Sequence, residues 1–270
     1  MIRVLAVAVL ALGGCSAPAP APAPAPKTRP TIVSLNPCAD AILAEVTAPG
    51  QLLAISHYSK DPRASSMQPG DAARYEATGG TVEEVLALDP DVVVAGSFIA
   101  PATRAALTDL GIRVEIVGSV GSVADSIAQV RQLAALTGDK AAGEALVARI
   151  EKAARPSEGN PIDTVLWQSG GIVPGEATLV SELLTRAGLA NGAANRGLGQ
   201  ADYLSLEAVL ADPPDLLLVA GSERGQGHPA LAALPDTRIA RLDPNLVYCG
   251  GPTIPRAMAK LRALRQSVAS

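Results

Sequence analysis

Two separate segments of the chain carry the same succession of residues, and this repeat restricts the fold more than any other feature. Residues 81–87 read Thr-Val-Glu-Glu-Val-Leu-Ala, and Pro-Asp at 90–91 then leads into a run of valines. Residues 205–211 read Ser-Leu-Glu-Ala-Val-Leu-Ala, and Pro-Asp at 214–215 then leads into a run of leucines. Each copy predicts a short helix with a hydroxyl cap and a glutamate in its first turn, followed by a buried strand. The repeat therefore predicts two similar α/β lobes.

Strands alternate with helices on both sides of a purely helical stretch. This alternation favours parallel βαβ units, so the predicted fold class is α/β, with two lobes that have parallel-type sheets. Residues 122–136 and 139–154 predict two helices with no strand between them, which connect the lobes. A cleft between two such lobes is a natural ligand site. Strands are predicted at 31–35, 52–56, 91–95, 113–117, 164–167, 216–219 and 238–242, and further helices at 39–46, 102–110, 179–187 and 254–268.

The domain organisation follows from this pattern and from the composition of the N-terminal residues. We expect a signal peptide with a lipobox at 1–15 and an Ala-Pro stalk at 16–30. An N-terminal lobe at 31–120, a helical connector at 121–159 and a C-terminal lobe at 160–270 are expected to follow.

The first residues of the chain predict export. Arg3 precedes an apolar run at 4–12, which has the length of a signal-peptide core and is too short to span a bilayer. The following Leu-Gly-Gly-Cys, which ends at Cys15, resembles the bacterial lipobox, in which the cysteine is lipidated. The alternative is an ordinary secretory signal with an incidental cysteine. The Ala-Pro pairs at 17–26 predict an extended polyproline II segment that holds the protein off a membrane.

Composition and missing motifs disfavour several function classes. The net charge of −4 at pH 7 predicts no nucleic-acid partner, and 2 histidines leave almost no material for a multi-histidine metal site. No Gly-x-Ser-x-Gly motif or phosphate loop is present, so we expect no enzymatic activity, no cofactor and no metal site. Asp40 is interpreted as a helix first-turn carboxylate. The glycine pairs at 170–171 and 250–251 are interpreted as loops that let the backbone approach a bulky ligand.

The chain from residue 31 onward resembles the helical-backbone substrate-binding proteins of ABC importers, the receptors for cobalamin, haem and ferric siderophores. The resemblance rests on Ile-Val-Ser-Leu-Asn-Pro at 32–37, Ser-His-Tyr-Ser at 56–59, the glutamate-helix-Pro-Asp-strand segment at 81–95, and Leu-Gly-Ile-Arg-Val at 110–114. The cobalamin-binding members are the most similar. However, the stretches before Glu83 and before Glu207 contain no tryptophan, whereas cobalamin receptors use tryptophan and other aromatics to stack on the corrin ring.

The resemblance implies a mode of action. In this family one long helix joins the lobes and limits their closure, and the helix at 139–154 is the candidate for it. The ligand lies between the lobes, and one glutamate on each lobe docks to arginines of the membrane permease. These glutamates correspond to Glu83 and Glu207, the pair that the internal repeat also singles out. Transport energy would come from the ATPase partner of the permease.

Residues at the predicted strand ends are the candidates for ligand contact. Tyr58 and Tyr248 occupy loops that follow strands, although a tyrosine at the rim that caps the core is the alternative for both. The candidate cleft residues are Asn36, Pro37, Cys38, His57, Tyr58, Tyr203, Tyr248, Cys249 and Gly250.

Cys38 and Cys249 form an even pair in a protein that we expect to be exported. Both are predicted in loops that face the cleft from opposite lobes. Three alternatives remain open: two free or ligand-contacting thiols, a disulfide across the cleft, or a role in binding a soft metal.

The sequence thus predicts a monomeric receptor, lipid-anchored in the periplasm or at the cell surface. It would bind a bulky metal chelate, either a corrinoid, a ferric siderophore or haem, and deliver it to an ABC permease. The alternative is a lipoprotein sensor or protein-interaction module with the same fold and no transport role.

Overall fold

The computed structural model describes residues 28–269, so the predicted signal peptide, Cys15 and the Ala-Pro pairs lie outside the described residues. A first parallel sheet has the strand order β3-β2-β1-β4-β5. Its strands are β1 (Ile32–Ser34), β2 (Leu52–Ser56), β3 (Glu76–Thr78), β4 (Val92–Gly96) and β5 (Arg113–Val117). Its helices are α1 (Pro37–Val46), α2 (Pro69–Ala72), α3 (Val82–Ala87) and α4 (Pro101–Asp109). We call this sheet with its helices the first lobe.

Two antiparallel helices, α5 (Val123–Thr137) and α6 (Lys140–Ala153), follow the first sheet. Ser122 caps the start of α5 by accepting a hydrogen bond from the Asp125 amide. Gly138 ends α5 with φ at +78°, a left-handed conformation that glycine adopts without steric cost. A Cβ atom at Gly143 would lie 2.4 Å from the Cβ of Ala134, so glycine is what lets the two helices approach closely.

A second parallel sheet has the order β11-β10-β6-β8, and a two-stranded antiparallel ribbon pairs β7 with β9. The strands are β6 (Ile162–Gln168), β7 (Ile172–Val173), β8 (Leu189–Asn191), β9 (Asp202–Tyr203), β10 (Leu216–Ala220) and β11 (Arg238–Arg241). The helices are α7 (Leu179–Arg186), α8 (Gly192–Asn195) and α9 (Leu206–Ala211). We call this part the second lobe, and the predicted class of two α/β lobes with parallel sheets is confirmed.

The repeated Pro-Asp segment has a structural role in both lobes. In the first lobe, the Asp91 carboxylate accepts hydrogen bonds from the backbone N–H and the hydroxyl of Thr31, at 2.8 and 2.9 Å. In the second lobe, the Asp215 carboxylate accepts a hydrogen bond from the backbone N–H of Asp163 at 3.3 Å. In each case the aspartate at the start of one central strand fixes the start of the neighbouring one.

Alternate residues of each central strand enter different cores, as the period of two in a strand requires. In β4, Val92 and Val94 pack into a large core shared by both lobes, whereas Val93 packs into a smaller core of the first lobe. In β10, Leu216 and Leu218 likewise enter the shared core, and Leu217 enters a core of the second lobe. Helices α1, α5, α6 and α7 also contribute to the shared core, which therefore holds the lobes together.

The C-terminal part of the chain returns to the first lobe before it ends. After β11, the Asn245 carbonyl accepts a hydrogen bond from the Ser66 hydroxyl, and the Arg256 guanidinium donates to the Ser66 carbonyl at 3.0 Å. The last helix, α10 (Thr253–Ala269), then packs against α6 and α7. Between residues 28 and 269 no helix is both long and apolar enough to cross a bilayer.

Candidate functional site

Each sheet has one position where the chain changes the direction in which it adds strands. In the first sheet this position lies between β1 and β4, and in the second it lies between β6 and β10. Ligands of open α/β sheets bind outside the carboxyl ends of the strands at such positions, because the loops diverge there and leave a crevice. The loops that follow β1 and β4 contain Asn36 and Phe98, and Gln168 is the last residue of β6.

A pocket of about 330 Å³ lies where these loops face one another. Its size is at the lower end of the range for small-molecule sites. Both lobes and the segment before α10 contribute to its walls. Its hydrogen-bonding residues are Asn36, Ser97, Ser119, Gln129, Gln168, Thr178 and Gln200, and its aromatic residues are Phe98 and Tyr248. We call this space the central pocket.

The side-chain oxygen of Asn36 makes hydrogen bonds within the protein, whereas its side-chain nitrogen is available to a ligand. Its Oδ1 caps α1 by accepting hydrogen bonds from the backbone N–H groups of Cys38 and Ala39, at 2.9 and 3.0 Å. Its Nδ2 passes so close to Gly96 that a Cβ atom there would lie 2.6 Å away. The Asn36 amide nitrogen is therefore held at the wall of the central pocket by a helix cap on one side and a glycine on the other.

Three glutamines add further amides to the wall. Gln129 projects from α5, is 8% exposed, and donates from Nε2 to the Gly118 carbonyl at 2.8 Å. Gln168 ends β6, and Gln200 lies in the exposed loop before β9. Within residues 28–269 neither of these last two side chains has a hydrogen-bond partner, so both amides are free to bind a ligand.

Four of the few aromatic side chains are exposed near the strand ends. Phe98 is 93% exposed, and Tyr58, Tyr203 and Tyr248 are 54, 65 and 46% exposed. The ring of Tyr58 lies 4.1 Å from that of His57, whose Nδ1 is 3.3 Å from the Thr78 carbonyl oxygen. Of these four rings, Phe98 and Tyr248 line the central pocket.

The structure brings only some of the sequence-predicted cleft residues into the central pocket. Asn36, Cys38 and Tyr248 line it. The other predicted cleft residues are not part of its lining, and they remain predictions: Pro37, His57, Tyr58, Tyr203, Cys249 and Gly250.

The glycine pair at 250–251 lies close to neighbouring helices. A Cβ atom at Gly250 would lie 2.5 Å from the Ser126 hydroxyl oxygen, and one at Gly251 would lie 2.7 Å from the Ile42 side chain. The Gly251 N–H also donates to the Ser126 hydroxyl at 2.7 Å. The close backbone approach that this pair permits is therefore to helices α5 and α1.

Phe98 and the glutamines were not among the candidates from the sequence. Phe98 had a usable signal, because it follows a buried strand just as Tyr58 does. Gln129 had none, because it is an unremarkable polar residue within a helix until the fold places that helix behind the β5 loop.

Cys38 and Cys249 are joined in a disulfide, with their Cα atoms 5.3 Å apart. Cys38 lies in the first turn of α1, and Cys249 lies in the segment that returns from the second lobe. Neither sulfur is then a free thiolate, so the bond ties the returning segment to the edge of the central pocket. Within the described range, no three His, Cys, Asp or Glu side chains are grouped to hold a metal ion.

Tyr248 separates the central pocket from an adjoining cavity of about 420 Å³. Partial burial raises the pKa of the Tyr248 phenol, and the negative charge of Asp243 raises it further. The phenol therefore stays protonated and neutral. The adjoining cavity also contains Arg63, whose guanidinium donates to the Asp61 carboxylate at 3.0 Å.

Asp40 lies in the first turn of α1 and is fully buried. Its Oδ2 accepts hydrogen bonds from the Ser56 N–H at 2.9 Å and from the Ser59 hydroxyl at 2.6 Å. Burial raises the pKa of Asp40 to about 7, and these hydrogen bonds offset only part of that effect. The carboxyl group therefore ties α1 to the loop that carries Tyr58, and it does not touch the central pocket.

Glu83 and Glu207 are exposed at equivalent positions of α3 and α9. Thr81 caps α3 by accepting from the Glu84 N–H, and Ser205 caps α9 by accepting from the Ala208 N–H, both at 3.2 Å. Glu84 is used locally, since its carboxylate accepts from the Thr78 hydroxyl and the Gly79 and Gly80 N–H groups, which lower its pKa.

The carboxylate of Glu207 has a lowered pKa, because its own N–H and Ser205 donate to it and His228 is nearby. Glu83 makes no hydrogen bond or ion pair in the described part of the chain. Each lobe therefore presents an exposed glutamate in the first turn of a short helix.

Several solved structures have the same fold. The periplasmic heme-binding protein RhuT from Roseiflexus sp. RS-1 is 24% identical, with a TM-score of 0.67 over 89% of this chain and 98% of that one. The periplasmic vitamin B12 binding protein BtuF of Vibrio cholerae is 18% identical, with a TM-score of 0.66 and the same coverage of both chains. No curated protein matches the sequence.

A third similar structure is a possible iron-binding (periplasmic solute-binding) protein from Staphylococcus epidermidis ATCC 12228. It is 17% identical, with a TM-score of 0.71 over 90% of this chain and 100% of that one. At such identities the likeness shows the fold. The family described as periplasmic binding protein matches residues 32–236, which is most of the chain. On this evidence the chain belongs to the periplasmic binding protein family.

Proposed function

We propose that the protein is a lipid-anchored extracytoplasmic receptor that captures a bulky metal chelate between its lobes and delivers it to an ABC permease. The observation that carries this proposal is the central pocket, which is bounded by the direction-change positions of two parallel sheets and rimmed by exposed aromatic rings. Proteins of similar fold bind heme or vitamin B12, and one is a possible iron-binding protein, which supports this ligand class.

Binding in this proposal involves no covalent chemistry. The ligand enters the cleft, displaces water from apolar walls such as Ile172 and Val173, and meets the amides of the polar wall. The shared core and the α5–α6 pair connect the lobes, so closure is a small movement. A receptor of this kind releases its cargo when the permease separates the lobes.

The lipid anchor belongs to the proposal through Cys15, with the Ala-Pro pairs at 17–26 as the spacer. Lobes at 31–120 and 160–270, joined by residues 121–159, complete the proposed organisation, and the receptor acts as a monomer. We also propose that the following residues contact the ligand in the cleft: Pro37, His57, Tyr58, Tyr203, Cys249 and Gly250.

The ligand class is tested by titrating the full chain, solubilised in mild detergent, with metal chelates. Native mass spectrometry and absorbance spectra should show one chelate per chain, and the Phe98→Ala and Tyr248→Ala variants should bind at least about tenfold more weakly. The Leu110→Ala variant is the control, because Leu110 is also exposed but follows α4, away from the pocket. Binding of none of the chelates would overturn the proposal.

Delivery is tested at Glu83 and Glu207. Charge-assisted pairs with permease arginines cost about 2–5 kcal/mol to break when they are buried in a complex. The Glu83→Lys and Glu207→Lys variants should therefore bind the chelate normally and lose uptake in cells or proteoliposomes, and the double variant should be worse than either. Glu151→Lys, an exposed reversal on α6, is the matched control. Normal uptake with the double variant would remove the docking role.

A further inference from the structure

Within residues 28–269 no charged side chain lines the central pocket. Its polar groups are the amides of Asn36, Gln129, Gln168 and Gln200 and a few hydroxyls, and no Asp, Glu, Lys, Arg or His from the described range lines it. The metal chelates that similar folds bind differ in just this property. Some carry carboxylates or catecholates at their edge, and others carry uncharged amides or hydroxamates.

An anionic group buried in this wall would have no cation to pair with. Burial of an unpaired carboxylate is strongly unfavourable, because no protein group replaces the hydration that it loses. The adjoining cavity does not supply that cation, because its Arg63 forms a salt bridge with Asp61. Asp243, which also lines this cavity, adds a negative charge. Arg241 lines a different cavity, of about 380 Å³, and its guanidinium donates to the Gly221 carbonyl at 3.0 Å.

Amides suit an uncharged partner. A primary amide offers two N–H donors and a carbonyl acceptor, so it can form reciprocal hydrogen bonds with a ligand amide. The side chains of Gln168 and Gln200 have both their N–H donors and their carbonyl acceptor available. Asn36 has only its N–H donors available, and its amide nitrogen lies close to Gly96. Phe98 and the protonated Tyr248 provide apolar ring surface beside these amides.

We propose, on the assumption that the proposed function holds, that the cleft selects metal chelates with an uncharged, amide-rich contact surface and rejects those with ionised carboxylate or catecholate edges. The selection follows from the absence of cations in the wall together with the free amides that face it. Stacking on an aromatic ring adds affinity without adding charge selectivity.

Four probes separate the two classes. Cyanocobalamin and ferrichrome are neutral overall and present mainly amides or hydroxamates, whereas haemin carries propionates and ferric enterobactin carries ionised catecholates. We expect at least one uncharged probe to bind the full chain at least about tenfold more tightly than either anionic probe, as measured by equilibrium dialysis. Equal or tighter binding of an anionic probe overturns this inference and leaves the receptor proposal intact. Binding of none of the four overturns both.

A variant tests whether the amides set the preference. Gln200→Arg introduces a guanidinium at an exposed position of the wall and should strengthen haemin binding relative to the uncharged probe by about tenfold. Gln266→Arg, the same substitution on the exposed face of α10, is the control and should leave the ratio unchanged. If Gln200→Arg leaves the ratio unchanged, or if both variants shift it equally, the uncharged wall does not select the ligand and the inference fails.

Discussion

At the scale of single residues, Asp40 is the group with the most unusual environment. A carboxyl with an ordinary pKa of 3.8 and a folded pKa of about 7 binds more protons in the folded state than in the unfolded state between these values. The contribution of Asp40 to the free energy of unfolding therefore decreases as the pH rises from about 4 to about 7 and is constant above that range, with a slope of up to about 1.4 kcal/mol per pH unit. This is opposite to the behaviour of a salt-bridged aspartate.

The Asp40→Asn substitution tests this conclusion. Asparagine keeps an acceptor for Ser56 and Ser59 but cannot ionise, so the variant should gain stability relative to the wild type as the pH rises through 4 to 7. Urea unfolding at several pH values measures the difference. Asp109→Asn, at the exposed end of α4, should leave the pH profile unchanged. Parallel profiles for wild type and Asp40→Asn would show that the buried carboxyl does not titrate in this range.

Some residues of the central pocket have a local signal in the sequence. Asn36, Cys38 and Tyr248 all follow or adjoin predicted strand ends, and all three line the central pocket. Gln129 and Gln200 could not be found in this way, because one enters the wall from a helix and the other from an irregular loop. Their position depends on how α5 and the β7–β9 ribbon pack, and no residue near them in the sequence encodes that.

At the scale of secondary-structure elements, the α5–α6 contact makes a specific demand on one residue. Alanine normally stabilises a helix relative to glycine by about 0.5–1 kcal/mol. At Gly143, however, the added Cβ would lie 2.4 Å from the Ala134 Cβ, and overpacking of this kind costs about 1–3 kcal/mol.

Gly143→Ala should therefore lower the free energy of unfolding, against the trend of helix propensity. Thermal or urea unfolding measures the change. The exposed residue Ala148 of the same helix offers the matched control, because Ala148→Gly should lower stability by only about 1 kcal/mol through propensity. A more stable Gly143→Ala protein would mean that α5 and α6 separate without cost.

The elements that the sequence predicted well are the long or strongly apolar ones. Strands β2 and β5 have the predicted bounds, and α5 begins after its predicted cap at Ser122. Strands β3, β7, β8 and β9 were not predicted, since they have only two or three residues each and form only by pairing with a neighbour. Glu76 in β3 is exposed and gives no apolar alternation to detect.

At the scale of the whole molecule, the disulfide joins the start of the first helix to the segment before the last one. A bond between such distant residues restricts the unfolded chain, and its removal typically costs about 2–5 kcal/mol. The double variant Cys38→Ser and Cys249→Ser should unfold at a lower temperature than the wild type. Reduction of the wild type should lower its unfolding temperature by the same amount. A reductant should then have no effect on the variant.

A thiol titration provides an independent check of the pairing. In unfolded, unreduced protein only Cys15 should be available to react, and only if it is unmodified, whereas reduction should expose Cys38 and Cys249. Reaction of both cysteines without reduction would contradict the bond.

The overall organisation was predictable because the repeat at 81–91 and 205–215 describes the lobes directly. Membership of the family of binding proteins confirms the expectation that the chain is not an enzyme. The return of residues 244–256 to the first lobe was not predictable, since this segment is rich in Gly and Pro and has no periodic pattern that indicates where it packs.

The late return of residues 244–256 to the first lobe determines the order in which the protein can fold. A chain that leaves the ribosome or crosses a membrane with its N-terminus first can complete the first sheet at residue 117, long before Gly251 arrives to cover Ile42. Until then Ile42 lacks this contact and Cys38 has no disulfide partner. The disulfide can therefore form only after Cys249 has crossed the membrane. A chain that ends before Cys249 would leave the first lobe incompletely covered, and quality-control proteases remove such products.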